Sequence, residues 1–279
     1  MKEFNQEVKR GFELREKDGV QYFVIPSFVE AGLKKHCFTT RIGGVSKGCY
    51  ATLNLSRTRE ASPVNKEKNN RNVCSVLDVP YESLTLVHYA HGDGVYAAHE
   101  KDAGKGISRE ELLPECDALM TNVPQVTAVT LHADCVPLFF ADPVKKAVCV
   151  AHAGWRGVYY EILVNIINGM RREYGSDPKD ILVGIGPHIM RCCFKVQDDV
   201  AEPFAQKFGD SVVVCNGLNK YVDLQSALMA QLKKCGVLAK NVTCADLCTS
   251  CREDLFYSHR RDHGNTGAMG SFISVCDWN

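Results

Sequence analysis

The chain of 279 residues has little of what marks a binder of polyanions or membranes. Basic and acidic residues both number 33, so the formal net charge is zero, and no nucleic-acid footprint or attraction to a membrane surface is expected. No apolar run approaches the roughly 18 residues of a membrane span. The opening MKEFNQEVKRGFELREKDG lacks the apolar core of a secretion signal, so a cytoplasmic location is expected. There are no internal repeats, low-complexity tracts or linkers. Neither a Walker A loop nor a Rossmann fingerprint is present, which removes the usual nucleotide cofactors. His-x-His pairs are missing too. A multicopper oxidase builds its centres from roughly ten histidines, mostly in such pairs, and this chain has nine histidines in all. Copper is therefore the less expected metal, and phenol oxidation the less expected reaction.

What is present is ordinary for a globular protein, with 45% hydrophobic and 24% charged residues. The 14 cysteines, without a secretion signal, read as thiols, metal ligands or small buried hydrophobes. Cys37, Cys49, Cys74, Cys149 and Cys235 sit in apolar or mixed contexts, and most of them are expected to be buried core thiols. Scattered Gly and Pro favour one α/β domain over residues 1–279. Strands are expected at Val20–Ile25, from Cys37, within Thr85–Tyr96, at Val126–Leu131, at Ile181–Ile185 and at Gly270–Val275, with a strand end at Phe256–Arg261. Helices are expected at Asn65–Leu77, Asp198–Phe208 and Asp223–Cys235. Val158, Ile162, Leu163, Ile166, Ile167 and Met170 recur at helical spacing, which predicts a single amphipathic helix over Gly157–Tyr174. The interleaving predicts a layered α/β fold, a mixed sheet covered by helices.

The richest stretch is HADCVPLFFADPVKKAVCVAHAGWRG, residues His132 to Gly157. Two apolar runs, Val136–Ala141 and Ala147–Ala151, flank the turn DPVKK, a hairpin pattern. A turn centred between Pro143 and Val144 makes Cys135 and His152 cross-strand partners, roughly 4.5–5.5 Å apart at their α-carbons. Such a pair serves two chemistries. An imidazole beside a thiol can generate a nucleophilic thiolate, with Asp134 or a backbone carbonyl orienting the ring. The same pair with a third donor makes a zinc site with one open position. His88, His91 and His132 are the candidates for the third donor. A lone histidine is more often a satisfied core or surface residue, but His91 sits in the turn HGDG, which is free to aim the ring, and is preferred.

Two further features are weaker. Cys244, Cys248 and Cys251 form C-x3-C-x2-C, which His259 or His263 could complete as a structural zinc site. Half of the usual paired signature is missing, so a reduced, partly buried turn is the simpler reading. Arg41 beside Gly43-Gly44, Arg71 after Asn69-Asn70 and Arg156 at a helix start are candidate anion contacts.

The chain resembles the YfiH-type laccase-domain proteins, labelled multicopper polyphenol oxidases and since described as zinc-dependent purine nucleoside enzymes. The resemblance is carried by FTTRIGGVS (38–46), LNLS (53–56), NNR (69–71), AHGDGV (90–95), DALMT (117–121), ADCVP (133–137), AHAGWRG (151–157), GIGPHI (184–189), CCFKV (192–196), DLCTSC (246–251) and FYSHRRD (256–262). It implies zinc on His91, Cys135 and His152. Cys135 and His152 are the candidate catalytic residues, and Asp134 is a candidate for orienting a ligand from behind. It implies phosphorolysis of adenosine, inosine, guanosine and methylthioadenosine and deamination of adenosine, with nucleoside and phosphate as the small-molecule partners. Arg41 and Arg71 are the candidate substrate contacts. The fold it implies is a layered α/β structure that also resembles Cys–His toxin hydrolases. Rival readings are a metal-free Cys–His amide hydrolase and a role in editing peptidoglycan precursors. A non-enzymatic binding module is disfavoured by so many polar residues at one hairpin foot. The chain departs from the family pattern at Tyr89-Ala90, where Gln-Val is usual, and at Ala268, where the family often carries arginine after Thr-Gly.

Overall fold

The computed structural model describes residues 2–60 and 62–278. Two mixed sheets, of seven and six strands, carry the fold, and a small three-stranded antiparallel sheet lies beside them. The hairpin Val136–Asp142 and Ala147–Ala153 occupies the middle of the seven-stranded sheet and is buried along its whole length. Its residues divide by parity. Leu138, Phe140, Cys149 and Ala151 pack in one cluster with Ile162, Leu163, Ile166, Leu228 and Leu232, on helices Ile162–Tyr174 and Leu224–Cys235. Phe139, Ala141, Val148 and Val150 pack in another with Phe23, Phe38, Ala128 and Ile273 of the six-stranded sheet. The outer face of that second sheet is closed by helix Pro63–Leu77 through Val73, Val76 and Leu77. The layers therefore run helix, sheet, sheet, helix. A hairpin covered on both faces needs a continuous apolar run rather than an alternating one, and VPLFFA and AVCVA are such runs.

The connection between the sheets matters most for the site. Strand Thr127–His132 belongs to the six-stranded sheet and Val136–Asp142 to the seven-stranded one. Ala133-Asp134-Cys135 is the whole crossover. It places Cys135 at the open end of the sandwich, where strand ends from both layers meet.

Several expected elements shift. The hairpin register pairs His152 with Pro137 and Ala153 with Val136, so Cys135 and His152 are not cross-strand partners. The loop is 143–146, with Asp142 Oδ1 accepting from the N–H groups of Val144 and Lys145 at 2.8 and 3.0 Å and Lys146 at a φ of 51°. That side-chain cap moves the turn centre one residue on and slips the register by two. A two-residue slip keeps every side chain on its original face, so the two residues still approach each other. The expected helix over 157–174 is two, Trp155–Tyr159 and Ile162–Tyr174, broken at Glu161 with a φ of 63°. Both halves keep their apolar side inward, so periodicity alone does not register the break. Phe256–Arg261 is no strand end: 256–258 is irregular and 259–261 turns, because Ser258, Arg261 and Asp262 satisfy the backbone with side chains. No helix among the described residues is long and apolar enough to cross a membrane.

Candidate active site

His152, next to last in strand Ala147–Ala153, is buried, and its Nδ1 lies 3.0 Å from Asp117 Oδ1. A carboxylate only accepts, so Nδ1 carries a proton and Nε2 is left for a partner other than Asp117. The other oxygen of Asp117 accepts from the N–H groups of Ala90 and Gly92 at 3.2 and 2.8 Å. Those amides flank His91, which takes a left-handed φ of 55°. One carboxylate therefore fixes one histidine directly and the turn of the other through its backbone. Burial by itself would raise the Asp117 carboxyl, but the hydrogen bonds from His152, Gly92 and Ala90 outweigh it and hold it below its usual range.

Cys135 completes the group. Its Sγ would lie 3.5 Å from a β-carbon built on Gly154, with His152 Cε1 at 3.8 Å, so sulfur and ring bracket the same glycine. Burial alone would strip a proton from His152, yet the Cys135 sulfur and the Asp117 carboxylate together push it up to about 10. His91 moves the other way, lowered by burial and by the neighbouring His152 charge. The His91 and His152 rings meet edge to face with centroids 5.3 Å apart, and Tyr89 packs on His152 at 4.9 Å. One sulfur and two imidazole nitrogens, with a carboxylate behind one imidazole, have the donor chemistry that suits zinc, but their donor atoms do not all lie within 4.8 Å of one another as those of the cluster at Cys192, Cys193, Cys248 and Cys251 do. Cys135, His152 and Asp117 also have the order of a nucleophile, a base and the group that orients it.

The remaining predicted residues fall elsewhere. His132 has both ring nitrogens engaged, Nε2 with Thr130 and Ser271 hydroxyls at 2.8 and 3.1 Å and Nδ1 with the Cys135 carbonyl at 3.2 Å. It braces the crossover. His88 points its Nδ1 to the Leu113 carbonyl at 3.3 Å. Asp134 does not meet His152: its carboxylate accepts from Thr249 Oγ1 at 2.6 Å, Ser258 Oγ at 3.0 Å and the Arg260 N–H at 2.7 Å. Those bonds hold a non-glycine residue at a φ of 94°, the sharp bend of the crossover. Arg41 stacks 4.6 Å over Tyr257 and donates to the carbonyls of Ala51 and Glu253. Arg71 pairs with Glu67 at 2.7 Å and stacks on Tyr81, and Arg156 stacks on Trp155. None of these three arginines lines either cavity at the site. Cys244 ends a buried strand beside Ile185 and Arg10, apart from the turn that carries Cys248 and Cys251.

Two cavities share the wall formed by His91, Ala133, His152 and His259. The first, about 500 Å³, is walled by Trp155, Ile189, Phe194, Val196, Val200 and Leu224, with Lys195 and Arg260 at its edge. The second, about 460 Å³, is lined by Ser56, Arg57, Thr58, Arg59 and Tyr89, and by Gly267 and Ala268. Sequence reasoning missed Asp117 and the Ser56–Arg59 segment. Asp117 was within reach, as the only carboxylate in DALMT.

The last glycine of AHAGWRG has a specific task. A β-carbon on Gly157 would stand 2.7 Å from the Gly92 carbonyl oxygen, so the helix start presses directly on the His91 turn. Gly157→Ala is expected to displace that turn and, if His91 is a metal ligand, to lower metal affinity roughly tenfold, the lower end of the loss seen when support behind a ligand is disturbed. Circular dichroism should show the fold retained. Unchanged metal affinity in a titration would remove this role for Gly157.

A model of the multi-copper polyphenol oxidoreductase laccase family matches residues 35–276, and the chain belongs to that family. It is 34% identical over 243 residues to purine nucleoside phosphorylase YlmD of Bacillus subtilis (strain 168), covering 85% of this chain and 87% of that protein. It is 35% identical over 248 residues to purine nucleoside phosphorylase LACC1 of Mus musculus, covering 86% of this chain and 55% of that protein. The chain thus spans about half the length of the mouse relative. The crystal structure of YlmD from Geobacillus stearothermophilus matches with a TM-score of 0.87 at 32% identity, over 94% of this chain and 98% of that one.

Proposed function

We propose that the chain is a zinc-dependent purine nucleoside phosphorylase, with residues 1–279 acting as one domain and His91, Cys135 and His152 as the zinc ligands. The observation that carries this reading is the position of the three donors in and around a wall shared by an apolar and a basic cavity. The names of the relatives support it. A purine ring suits the cavity walled by Trp155, Phe194 and Leu224, while Ser56, Arg57, Thr58 and Arg59 suit phosphate and ribose hydroxyls. The reacting C1′ then lies beside His91 and His152. A phosphate oxygen bonds to C1′, the C1′–N9 bond breaks, and the electron pair goes to the purine, which takes up a proton. Bound zinc supplies a Lewis acid that polarises an oxygen at this point. Asp117 keeps the His152 proton on Nδ1, and the apolar wall excludes water from the cleaved bond. Adenosine deamination would be the companion reaction: water adds to C6, the bond from C6 to the exocyclic nitrogen breaks, and ammonia leaves to give inosine.

A direct test is hypoxanthine release from inosine, with and without inorganic phosphate. Within that assay Arg57→Ala is expected to raise the KM for phosphate roughly tenfold, the loss of about one charge-assisted hydrogen bond, with little change for inosine. Arg57 is exposed and Arg59 is tied to the carbonyls of Gly264 and Thr266, so the change is unlike a core mutation. A phosphate KM that does not move would take the phosphate out of this cavity.

A second reading is favoured by a specific feature, the high proton affinity of His152 beside Cys135 and Asp117. That arrangement fits a metal-free thiol hydrolase of amides, with Cys135 as nucleophile. Copper oxidation fits less well. Of the histidines gathered here, His132 is already bonded through both ring nitrogens.

A further inference from the structure

Four cysteines outside this site converge from two separate segments. Cys192 and Cys193 end the loop that follows His188, and Cys248 and Cys251 belong to the turn CTSC. Among the described residues, this is the group of His, Cys, Asp and Glu donors whose atoms all lie within 4.8 Å of one another. Cys251 Sγ lies 3.7 Å from Cys192 Sγ and 3.4 Å from Cys193 Sγ. Four sulfurs around a tetrahedral zinc at about 2.3 Å stand roughly 3.8 Å apart, so the observed spacings need only small adjustment. The sulfurs are also shared rather than paired off, since Cys251 is equally a neighbour of Cys192 and of Cys193. The backbone N–H of Met190 donates to Cys248 Sγ at 3.5 Å, the kind of support a ligating thiolate receives.

We propose that Cys192, Cys193, Cys248 and Cys251 form a structural zinc site, separate from the catalytic centre. Four thiolates around a closed tetrahedron leave no position for substrate, which makes the role structural. The two segments are already stitched by backbone, with His188 N–H donating to Leu247 and Thr249 N–H to His188, at 3.1 and 3.0 Å. The metal would lock this seam. Its consequences reach the active site along two short routes. Cys193 is followed by Phe194 and Lys195 in the wall of the apolar cavity. Thr249, inside the CTSC turn, holds Asp134 next to Cys135. The site therefore clamps one wall of the nucleoside cavity and the bend that presents Cys135. It rests on the cysteine geometry alone and stands whether or not the purine reading does.

The experiment uses Cys135→Ser protein, so that zinc held at the catalytic centre is reduced, with Zn²⁺ itself as the probe. One zinc per chain is expected to remain. With zinc bound, Cys192 and Cys251 should resist alkylation by iodoacetamide, although both are exposed, while the exposed Cys49 and Cys215 react. A chelator should restore labelling of Cys192 and Cys251. Adding Cys251→Ser should remove the remaining zinc, and the labelling comparison in the unaltered chain covers the case in which that variant fails to fold. The proposal is overturned if zinc-loaded protein is alkylated at Cys192 and Cys251 as fast as at Cys49 and Cys215. It is also overturned if the cysteines are recovered as disulfides in zinc-treated protein. Failure of the catalytic-zinc reading looks different: the unaltered chain would then hold one zinc that Cys135→Ser leaves in place.

Discussion

His91→Ala abolishes phosphorolysis and catalytic-site zinc binding if the three-donor reading holds, while leaving the fold intact. His91 is exposed at a turn, so its removal opens no core cavity. Loss of an outer partner of a ligand already costs about 10- to 100-fold in metal affinity, so loss of a ligand should exceed a hundredfold in kcat/KM. The same substitution separates the two readings of the site. A thiol hydrolase needs Cys135, His152 and Asp117, none of which depends on the His91 side chain. Amide hydrolysis surviving in His91→Ala with no nucleoside cleavage in the unaltered chain would transfer the assignment to that class. Phosphorolysis that survives the substitution would remove His91 from the ligand set. The assay is purine release beside metal analysis, with any zinc at the four cysteines counted separately.

The second large effect is expected at Asp117. Both of its oxygens accept, one from His152 Nδ1–H and the other from the amides of Ala90 and Gly92. Asparagine has one accepting oxygen and one donating nitrogen, so neither orientation satisfies both sides. With the amide nitrogen toward His152, the ring proton is driven to Nε2 and the ligand lone pair is lost. With the nitrogen toward the turn, donors face donors and the His91 loop is pushed out. Asp117→Asn is expected to weaken metal binding by about 10- to 100-fold. It should also destabilise the chain by about 1–3 kcal/mol, the cost of leaving a buried donor without its acceptor. Zinc titration and thermal unfolding measure the two effects independently. An asparagine variant with unaltered zinc affinity would show that Asp117 does not set the histidine geometry.

Much of this site could be read from the chain before folding. The hairpin, the turn histidine and the closing helix follow from local patterns, because apolar runs and Gly-rich turns report backbone state over a few residues. The hairpin register did not, because the Asp142 side chain caps the turn and moves its centre. The break at Glu161 was invisible for a related reason: apolar periodicity records which side is buried, not the dihedral angles of one residue. Arg41 and Arg71 illustrate a different limit. Their sequence neighbours resemble anion seats, yet their guanidinium groups are consumed by Tyr257 and Tyr81 and by local acceptors. Side-chain satisfaction is a property of three-dimensional neighbours.

The four-cysteine cluster marks the same boundary. CTSC is legible as half of a metal knuckle, and Cys244 is its natural partner by spacing alone. Cys244 is instead built into the parallel pairing with Ile185, and the missing ligands arrive from Cys192 and Cys193 through the seam at His188. The sequence by itself determined the layered α/β class, the nearness of Cys135 to His152 and the family, because each rests on short-range pattern, while the pairing expected between those two residues gave way to His152 opposite Pro137. Only the tertiary structure decided which carboxylate orients His152, which arginines face the cavities and which cysteines meet. Those contacts join residues far apart in the chain, and the packing of the two sheets fixes them.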